Sequence, residues 1–390
     1  MNIPFNRTFQ SGSELGYIQD VLTRNHVSGD GHYTKLVNRF MEEKFAVSKA
    51  LLTTSCTHAL ELAALLINLQ PGDEVILPSY TFVSTVNAIM LRGSIPIFAD
   101  IDPKTLNIDP QSIKAKITPR TKAIFVVHYA GVGCEMDAIM AMSLKHNLYV
   151  VEDAAQGVNA KYNGKYLGSI GHIGCYSFHA TKNYSCGEGG AITINFANQE
   201  LAERAEIVRE KGTNRSKFLR GQVDKYTWVD VGSSFLPSDV LAAMLYAQLE
   251  CLDEINKLRR QVYERYYTKL AHFADRGVIT LPYIPADRES NYHMFYVLLP
   301  NETMRDNMLA ELKDKGINAT FHYVPLHTAP MGLKLGWQSG DLPATEELSG
   351  RLLRLPMYAG LTMPEQDYVI DNFTHILTEL ISKTSGLVGD

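Results

Sequence analysis

The sequence predicts an α/β protein with a mainly parallel sheet covered by helices, joined to a smaller α+β domain. From about residue 50, short β-rich runs alternate with helical patterns, which is the signature of a mainly parallel sheet. Near residue 250 the alternation gives way to a long helical pattern and then to a second group of elements. A chain of 390 residues is also longer than one compact core usually allows, which favours two domains.

The first group of elements begins with a helix that Pro71-Gly72-Asp73 ends. The apolar run 148–151 is predicted to be a buried strand that delivers Glu152-Asp153 at its carboxyl end, where open α/β sheets bind ligands. Lys182 falls on the polar loop between the last two strands. In chain order, the predicted strands are 74–77, 95–99, 123–128, 148–151, 175–178 and 191–195, and the predicted helices are 57–69, 82–91 and 136–146.

The second group starts with a helical pattern over 238–273, which contains no Gly or Pro and is predicted to lead out of the large domain. After it we expect a strand over 294–299, a helix over 305–315, a strand over 319–324 and C-terminal helices. The predicted domains are therefore 1–250 and 251–390. Because no Pro- or Ser-rich linker separates them, we expect them to pack closely with a site between them.

Composition and charge exclude several classes of protein. The net charge of −5 and the pI near 6.2 leave no broad basic surface for nucleic acid. No run reaches the ~18 to 20 apolar residues of a membrane-spanning helix, and the first residues lack the pattern of a secretory signal. The five cysteines are scattered, without a Cys-x-x-Cys pair, which fits a reducing compartment. We therefore expect a cytoplasmic protein that binds neither nucleic acid nor membrane.

Lys182 lies in the most informative stretch, Ser177 to Asn183, which is followed by Gly187-Glu188-Gly189-Gly190. An enzyme that uses pyridoxal 5'-phosphate (PLP) needs a lysine whose amine is neutral near neutral pH, since only that form condenses with an aldehyde. The neighbouring hydroxyls and glycines suit a phosphate group. Taken alone, however, Lys182 is better explained as a solvated surface charge.

Asp153 supplies the second part of this chemistry. PLP needs a carboxylate beside its pyridine nitrogen, which keeps that nitrogen protonated and the ring an electron sink. A carboxylate directly after the strand 148–151 is well placed for this role, although aspartates at strand ends often cap the following turn instead. Gln156, one short turn later, is a candidate contact for the ring hydroxyl.

The start of the first predicted helix is a candidate phosphate site. Thr54-Ser55-Cys56-Thr57 places free backbone amides and the positive end of the helix dipole there, though Ser and Thr are also common helix N-caps. Phe82, or Tyr80 just before it, could stack on the cofactor ring, and an aromatic residue in this pattern is more often part of a core. It is the combination of these residues with the lysine and the aspartate that favours PLP.

Other kinds of site are less well supported. His172, Cys175 and His179 have a spacing that suggests metal ligands, but no fourth ligand can be named, so we predict no metal site. Gly168-x-x-Gly171-x-x-Gly174 does not join a strand to a helix and is not a dinucleotide fingerprint. The cysteines lack a partner histidine at the spacing expected of a nucleophile.

These motifs resemble the DegT/StrS family of PLP-dependent sugar-nucleotide aminotransferases, and the resemblance extends over nearly the full chain. It implies fold type I, the aspartate aminotransferase type, with a large domain built on a mainly parallel, mixed seven-stranded sheet and a small C-terminal α+β domain. The resemblance is specific because the motifs occur in one ordered series. The matching segments are 72–76, 78–82, 152–156, 177–183, 187–190 and 323–327.

The resemblance also implies roles for individual residues. Lys182 and Asp153 would be catalytic, Lys182 as the Schiff-base lysine and Asp153 as the partner of the pyridinium nitrogen. Ser234 stands where the wider family often has an Asn that reaches the neighbouring subunit's phosphate, and the basic residue that follows that Asn in the family is absent here. The residues expected to bind the cofactor are Lys182, Asp153, Gln156, Ser55, Cys56, Thr57, Phe82, Ser177 and Ser234.

Within the family, segments 127–156 and 209–228 most resemble enzymes that form dTDP-4-amino-4,6-dideoxy-D-galactose for enterobacterial common antigen. This implies transfer from L-glutamate to a dTDP-4-keto-6-deoxyhexose by a homodimer. Arg215, Tyr323 and His327 are candidates for substrate contacts, since a nucleotide diphosphate and a sugar need cationic and hydroxyl partners.

Other activities are compatible with parts of this pattern. The gluco epimer at C4 and another nucleotide-sugar amino transfer both remain open. A sugar dehydratase on the same fold replaces the Schiff-base lysine with histidine, so Lys182 argues against it. Intact Lys182 and Asp153 also disfavour a non-enzymatic regulator that keeps the fold.

Overall fold

A seven-stranded sheet forms the centre of the larger part of the molecule. The computed structural model describes residues 1–386. The strands are β1 (Lys49–Thr53), β2 (Glu74–Pro78), β3 (Ile95–Ala99), β4 (Thr121–Val127), β5 (Tyr149–Asp153), β6 (Lys161–Tyr162), β7 (Lys165–Tyr166), β8 (Ile173–Ser177), β9 (Gly190–Ile194), β10 (Arg288–Glu289), β11 (Phe295–Leu298) and β12 (Leu352–Leu355). The large sheet has the order β1-β9-β8-β5-β4-β2-β3.

The large sheet is mainly parallel. Strands β3, β2, β4, β5 and β8 run parallel to one another, while β9 is antiparallel to both β8 and β1. This confirms the predicted α/β class with a mixed sheet. Strand β1 was not predicted, because its short apolar core of Ala and Leu suits a helix as well as a strand, and only its pairing with β9 makes it a strand.

Helices cover both faces of this sheet and account for its fully apolar strands. Ile124 and Val150 are paired with each other on the face that the helices 110–116 and 136–146 cover. Phe125 and Val151 are paired on the opposite face, which the helices 56–66 and 199–209 cover. The helices of this part are α1 (Glu14–Thr23), α2 (His32–Phe45), α3 (Cys56–Leu66), α4 (Val83–Met90), α5 (Pro110–Lys116), α6 (Met136–His146), α7 (Gln199–Arg209), α8 (Arg215–Leu219) and α9 (Asp239–Glu250), with a short 3₁₀ turn at Tyr129–Gly131.

The predicted single helix over 238–273 is wrong, because it is two helices. Helix α9 ends at Cys251, whose backbone lies outside the helical region at φ −96° and ψ 14°, and α10 (Leu252–Asp275) follows immediately. No Gly or Pro marks this break. Asp253 and Glu254 in the first turn of α10 stabilise a new helix start through the helix dipole. The proposed division between residues 250 and 251 falls at this junction.

The smaller part of the molecule is an α+β unit around a two-stranded antiparallel sheet of β11 and β12. Its helices are α10, α11 (Glu302–Asp314), α12 (Pro330–Lys334), α13 (Pro343–Arg351) and α14 (Met363–Gly386). The strand predicted over 319–324 is not formed. Of that segment, Thr320 alone makes a β-bridge, to Arg354 of β12. Strand β12 was not predicted, and it takes the place beside β11 that a strand over 319–324 could have filled.

The two parts are tied together by the amino-terminal segment and by α10. Ile3 packs in the core of the smaller part, and its backbone N–H donates to Gly316 O at 2.8 Å. Leu252 and Ile255 of α10 pack in the core of the larger part, whereas Tyr266 packs in the smaller. None of the helices found between residues 1 and 386 is both long enough and apolar enough to cross a membrane.

Candidate active site

Strand β5 places two neighbouring carboxylates at the carboxyl end of the sheet, and they point in opposite directions. Asp153 faces the site. Its Oδ2 accepts a hydrogen bond from Thr85 Oγ1 at 2.8 Å and its Oδ1 accepts one from the backbone N–H of Ala155 at 3.1 Å. The second contact is the turn cap considered as an alternative from the sequence, so Asp153 caps the turn and still lines the cavity.

Burial raises the pKa of Asp153, while hydrogen bonds from Thr85 and Ala155 and the charge of Lys182 oppose that rise. The buried carboxylate therefore needs a cationic partner to be stable in its charged form. A protonated pyridine nitrogen would supply such a partner.

Glu152 points to the opposite side and is fully buried. Its carboxylate accepts backbone N–H bonds from Gly168 at 2.8 Å, Ile170 at 2.7 Å and Gly171 at 2.5 Å. It also lies 2.8 Å from His128 Nε2. Glu152 thus fixes the loop before β8 and is part of the scaffold behind the site.

Lys182 lies on the loop between β8 and β9, where its backbone N–H donates to His179 O at 2.9 Å. Its side chain lines the cavity and makes no hydrogen bond or ion pair with any residue in the range 1–386. Burial lowers the pKa of Lys182, and the nearby carboxylate of Asp153 opposes that shift. A lowered pKa increases the share of neutral amine, which is the form that attacks an aldehyde carbon.

A cavity of about 560 Å³ joins the predicted cofactor residues. It lies at the carboxyl ends of the parallel strands and is closed on one side by residues of the smaller part, such as His322 and Arg354. Of the predicted site residues, those that line it are Ser55, Cys56, Thr57, Phe82, Asp153, Gln156, Ser177, Lys182 and Tyr323.

Helix α3 begins at the cavity wall. Ser55 is its N-cap, and the Ser55 hydroxyl accepts the N–H of His58 at 3.1 Å. Thr57 Oγ1 lies 2.7 Å from Ser84 Oγ, and Cys56 Sγ donates to Asp153 Oδ1 at 3.9 Å. A helix N-terminus surrounded by hydroxyl groups suits a phosphate. The residues present therefore fit both the phosphate and the pyridine nitrogen of PLP.

Gly190 allows this helix start to approach strand β9. A Cβ atom at Gly190 would lie 2.3 Å from the carbonyl carbon of Ser55 and 2.4 Å from the backbone nitrogen of Cys56. Both are backbone atoms that cannot rotate away. The close approach therefore requires glycine and sets the position of the first turn of α3.

The two aromatic candidates differ in position. Tyr80 is 1% exposed and lies in a core cluster, where its hydroxyl donates to the backbone carbonyl of His322. Phe82 is 58% exposed and lines the cavity, 6.5 Å from the ring of Tyr323. Gln156 bridges the two parts, because its Oε1 accepts from Ala130 N at 2.7 Å and its Nε2 donates to Tyr323 at 3.0 Å.

Three predicted residues do not line this cavity. His327 is fully buried, with Nδ1 2.7 Å from Ser79 Oγ and Nε2 2.9 Å from Glu346, so both ring nitrogens are used within the chain. Its role as a substrate contact stays a prediction, and it would require one of these two hydrogen bonds to break. Arg215 lies on α8 with its guanidinium 3.6 Å from Glu210, and Ser234 is exposed and pairs with Glu210 through the backbone.

Four cavity residues from outside the large sheet and its loops were not predicted from the sequence: Phe5, His293, His322 and Arg354. All come from the first ten residues or from the smaller part. His293 Nδ1 lies 2.8 Å from Asn183 Oδ1, close to Lys182 in sequence, and burial lowers the pKa of His293 well below its ordinary value. His293 directly precedes the predicted apolar strand 294–299, and a histidine at that position was the available signal.

The histidines and cysteine considered as metal ligands do not form a site. His172 Nδ1 accepts the backbone N–H of Val150 at 3.0 Å, and its ring packs between Tyr149 and Phe196. Within residues 1–386, no group of three or more His, Cys, Asp or Glu side chains is placed to hold a metal ion.

Comparison with known proteins connects this geometry to a family. The sequence profile of the DegT/DnrJ/EryC1/StrS aminotransferase family matches residues 10–374. The spore coat polysaccharide biosynthesis protein SpsC of Bacillus subtilis is 37% identical over 343 residues, which cover 85% of this chain and 87% of that protein. GDP-perosamine synthase of Caulobacter vibrioides is 33% identical over 368 residues, which cover 94% of this chain and 96% of that protein.

A solved structure described as a PLP form has the same fold. The PLP form of Spr1654 from Streptococcus pneumoniae has a TM-score of 0.89 at 25% identity and covers 97% of this chain and 99% of that chain. This similarity confirms the fold type I architecture, and the same comparisons make PLP the cofactor.

Proposed function

Because the chain belongs to the DegT/DnrJ/EryC1/StrS aminotransferase family, we propose that it transfers the amino group of L-glutamate to C4 of dTDP-4-keto-6-deoxy-D-glucose. The products are dTDP-4-amino-4,6-dideoxy-D-galactose and 2-oxoglutarate, and the pathway is that of a surface polysaccharide of the enterobacterial common antigen type. Membership of the family makes the protein a PLP-dependent sugar aminotransferase. The choice of donor, nucleotide, position and epimer is the proposal.

One observation carries this proposal: Lys182 and Asp153 line one cavity that also contains the N-terminus of α3. These three features would hold the aldehyde carbon, the ring nitrogen and the phosphate of PLP. When bound, PLP supplies an electron sink that makes the proton on the amine-bearing carbon acidic. Gln156 and Ser177 line the same wall and would contact the ring hydroxyl and the phosphate.

The chain's own residues would do the remaining chemistry. Lys182 has a pKa lowered by burial, so its amine can take a proton from the donor's α-carbon and later give one to C4 of the sugar. Such general acid–base catalysis contributes about 10²- to 10⁴-fold in rate. The enclosing walls from the smaller part would exclude water from this exchange.

The acceptor is proposed from the relatives and from the resemblance. GDP-perosamine synthase acts, by its name, in the formation of a nucleotide-linked amino sugar. A dTDP-linked 4-keto-6-deoxyhexose is the substrate that the motifs of segments 127–156 and 209–228 favour. Tyr323 is the one predicted substrate contact that lines the cavity, and its hydroxyl would face the sugar from beside Gln156.

A homodimer in the cytoplasm is also part of the proposal. The segment around α8 exposes several large apolar side chains, which favours a protein partner. These residues are Phe218, Leu219, Tyr226, Trp228, Val229 and Val231, from 43% to 75% exposed. A second copy of the chain that covers this surface would also come near Ser234 and Arg215.

The test is a single incubation of the purified, PLP-loaded protein with dTDP-4-keto-6-deoxy-D-glucose and L-glutamate, followed by NMR of the sugar product. We expect an axial amine at C4 of a galacto sugar and one equivalent of 2-oxoglutarate. An equatorial amine would show that the product is the gluco epimer, and the proposed galacto configuration would then be wrong. Absence of any amino sugar would contradict the proposed reaction.

Variants of the two central residues complete this test. Lys182→Ala is expected to abolish turnover, and Asp153→Asn is expected to bind PLP but to turn over far more slowly, because the ring nitrogen loses its charged partner. Equal activity of either variant and the wild type would overturn the proposed roles.

A further inference from the structure

His293 has one ring nitrogen tied to the lysine loop and the other open to the cavity. The residue is 6% exposed and lines the cavity that contains Lys182. Its Nδ1 lies 2.8 Å from Oδ1 of Asn183, the residue that follows Lys182 in the chain. Its Nε2 makes no hydrogen bond with any residue between 1 and 386, and this nitrogen is not sealed inside the protein. Nε2 therefore faces the cavity.

The hydrogen bonds around Asn183 decide which nitrogen of His293 carries the proton. The side-chain amide of Asn183 donates through Nδ2 to the backbone carbonyl of Asn291 at 2.9 Å, so its Oδ1 is the atom that meets His293. An amide oxygen can only accept a hydrogen bond. Nδ1 of His293 must therefore be the donor, and Nε2 of the neutral ring is left as an acceptor.

The surroundings of His293 favour the neutral ring. Burial lowers the pKa of His293 well below its ordinary value, and neighbouring basic groups lower it further. These groups belong to the lysine loop, to α10, to the segment before α12 and to β12, and they are Lys182, Arg259, His322 and Arg354. Near neutral pH, His293 is therefore an uncharged ring that presents a hydrogen-bond acceptor to the cavity.

The backbone around His293 is also fixed. Asn291 donates through Nδ2 to the carbonyls of Gln156 and Val158, each at 2.8 Å. Arg259 of α10 donates to the carbonyl of His293 itself at 2.6 Å. Together with the contact to the lysine loop, these hydrogen bonds join three elements at one point. The position of the ring is thus set by the turn after β5, by the lysine loop and by α10.

Lys182 is the donor that suits this acceptor. Its side chain lines the same cavity and also makes no hydrogen bond or ion pair with residues 1–386. In the proposed function, the amine of Lys182 is released when the amino donor takes its place, and it then carries a proton from the donor to the sugar. An ammonium on a flexible four-carbon side chain has many positions, and few of them meet the reacting carbon. A fixed acceptor would select among these positions.

We infer that His293 is a positioning residue for Lys182, in which Nε2 accepts a hydrogen bond from the released amine and holds it toward the reacting carbon. This inference rests on the proposed function, in which Lys182 takes a proton from the amino donor and gives one to the sugar. The proton stays on Lys182, and only the hydrogen bond is shared with His293. Because the amine has the same task in the half-reaction of each substrate, the contact serves both half-reactions.

The first measurement uses the PLP-free protein and needs no turnover. The acetylation of Lys182 by acetic anhydride is followed as a function of pH, and the labelled peptide is quantified by mass spectrometry. Only the neutral amine reacts. An acceptor beside an ammonium favours its charged form, so removal of the acceptor should lower the pKa of Lys182. The pH midpoint of labelling should then fall by about one pH unit.

Two substitutions separate the roles of Nε2 and Nδ1. An asparagine amide is as many bonds from the backbone as Nδ1, and a glutamine amide is as many bonds away as Nε2. His293→Asn therefore keeps a donor for Asn183 and removes the acceptor in the cavity, so its midpoint should fall. His293→Gln keeps an acceptor in the cavity, so its midpoint should stay close to that of the wild type.

His172→Asn is the matched control. His172 also uses Nδ1 within the chain, where it accepts the backbone N–H of Val150 at 3.0 Å, and burial also lowers the pKa of His172. It packs between Tyr149 and Phe196 and does not line the cavity. The same substitution at this position should leave the labelling midpoint of Lys182 unchanged.

The second measurement compares the two half-reactions of the PLP-loaded protein by stopped-flow absorbance. L-Glutamate alone reports the first, and dTDP-4-keto-6-deoxy-D-glucose added to the aminated protein reports the second. His293→Asn should slow both about 10- to 100-fold, as expected when a reacting group is misplaced. His293→Gln should recover most of this loss.

Three results would overturn the inference. One is a wild-type labelling midpoint in His293→Asn, and another is slowing confined to the sugar half-reaction, which would make His293 a contact for the sugar. The third is an equal defect in the Asn and Gln variants, because the contact with Asn183 would then be the one that matters. If His293→Asn does not fold, ¹⁵N NMR of the PLP-free wild type decides. Its Nε2 must be unprotonated, and the Nε2 resonance must change in Lys182→Ala.

Failure of the proposed function gives a different result. A wild type that forms no amino sugar from the two substrates removes that function. The labelling of Lys182 in the PLP-free protein and the Nε2 resonance of His293 require neither substrate, so they still decide whether His293 holds the lysine amine.

Discussion

Glu152 and Asp153 are neighbours in sequence with the same functional group, yet the strand sends them to opposite sides of the sheet. Asp153 meets one hydroxyl and one backbone N–H and keeps a face toward the cavity. Glu152 meets three backbone N–H groups and a histidine, and none of its surface is exposed. Position along a pleated strand, and not residue type, decides which carboxylate can meet a ligand.

Replacing Glu152 by Gln should destabilise the fold without altering the cavity wall. An amide can accept hydrogen bonds on one oxygen only, so some of the N–H groups of Gly168, Ile170 and Gly171 would lose their acceptor. We expect a loss of about 2 to 4 kcal/mol in the free energy of unfolding, measured by urea denaturation of the PLP-free protein. Glu289→Gln, which removes an exposed partner of Lys161, should change the free energy by less than about 0.5 kcal/mol. Similar values for both variants would show that the Glu152 network has little effect on stability.

The sequence predicted some site residues and missed others for a physical reason. Lys182 lies in a polar loop between two strands, and Asp153 lies at the end of an apolar strand. Both patterns involve only residues close together in the chain, so the sequence alone reveals them. His327 looked equally suited to a ligand, but Glu346 and Ser79 satisfy its ring. Arg354 stands inside an apolar strand, and its place in the cavity depends on how the smaller part packs on the larger.

At the level of elements, the contact between β9 and the start of α3 positions the candidate phosphate site. Gly190 pairs with Thr53 on one side and with Ser177 on the other, and its missing side chain admits the backbone of Ser55. The loop that carries Lys182 ends at this same strand. One glycine therefore links the lysine loop to the helix N-terminus.

Gly190→Ala should force β9 and α3 apart. We expect a loss of about 1 to 3 kcal/mol in the free energy of unfolding together with weaker PLP binding, measured by urea denaturation and by fluorescence titration of PLP. Gly16→Ala is the control, because Gly16 lies within α1 with open space around it, and it should stabilise the protein by about 0.5 to 1 kcal/mol. A Gly190→Ala protein with wild-type PLP affinity would contradict the proposed phosphate position.

Hydrophobic periodicity predicted the elements well where the pattern is compatible with only one kind of secondary structure. The strands from 74 to 99 and the helix 136–146 were predicted within one residue of their observed ends. The pattern over 238–273 is helical throughout, but the chain must pass from one core to another, and it bends at Cys251 to do so. Tertiary packing overrides local propensity at such a position.

At the scale of the whole molecule, the cavity needs both parts of the chain. The sheet and its loops provide the lysine, the aspartate and the helix start, whereas Arg354, His322 and Tyr323 come from the smaller part and Phe5 comes from the amino-terminal segment. The hydrogen bonds from Asn6 and Thr8 to Ala180 O join that segment to the lysine loop. The fold class was predictable from the order of elements, but this joint between parts was not, because it depends on contacts between residues far apart in the chain.

The central claim is that the Lys182 amine holds PLP in this cavity, and reductive trapping tests it most directly. The PLP-loaded protein is treated with borohydride and digested, and the pyridoxyl group is located by mass spectrometry. We predict one label, on the peptide that contains Lys182, and no label in Lys182→Arg. A pyridoxyl group on a different lysine, with the Lys182 peptide unmodified, would contradict the claim.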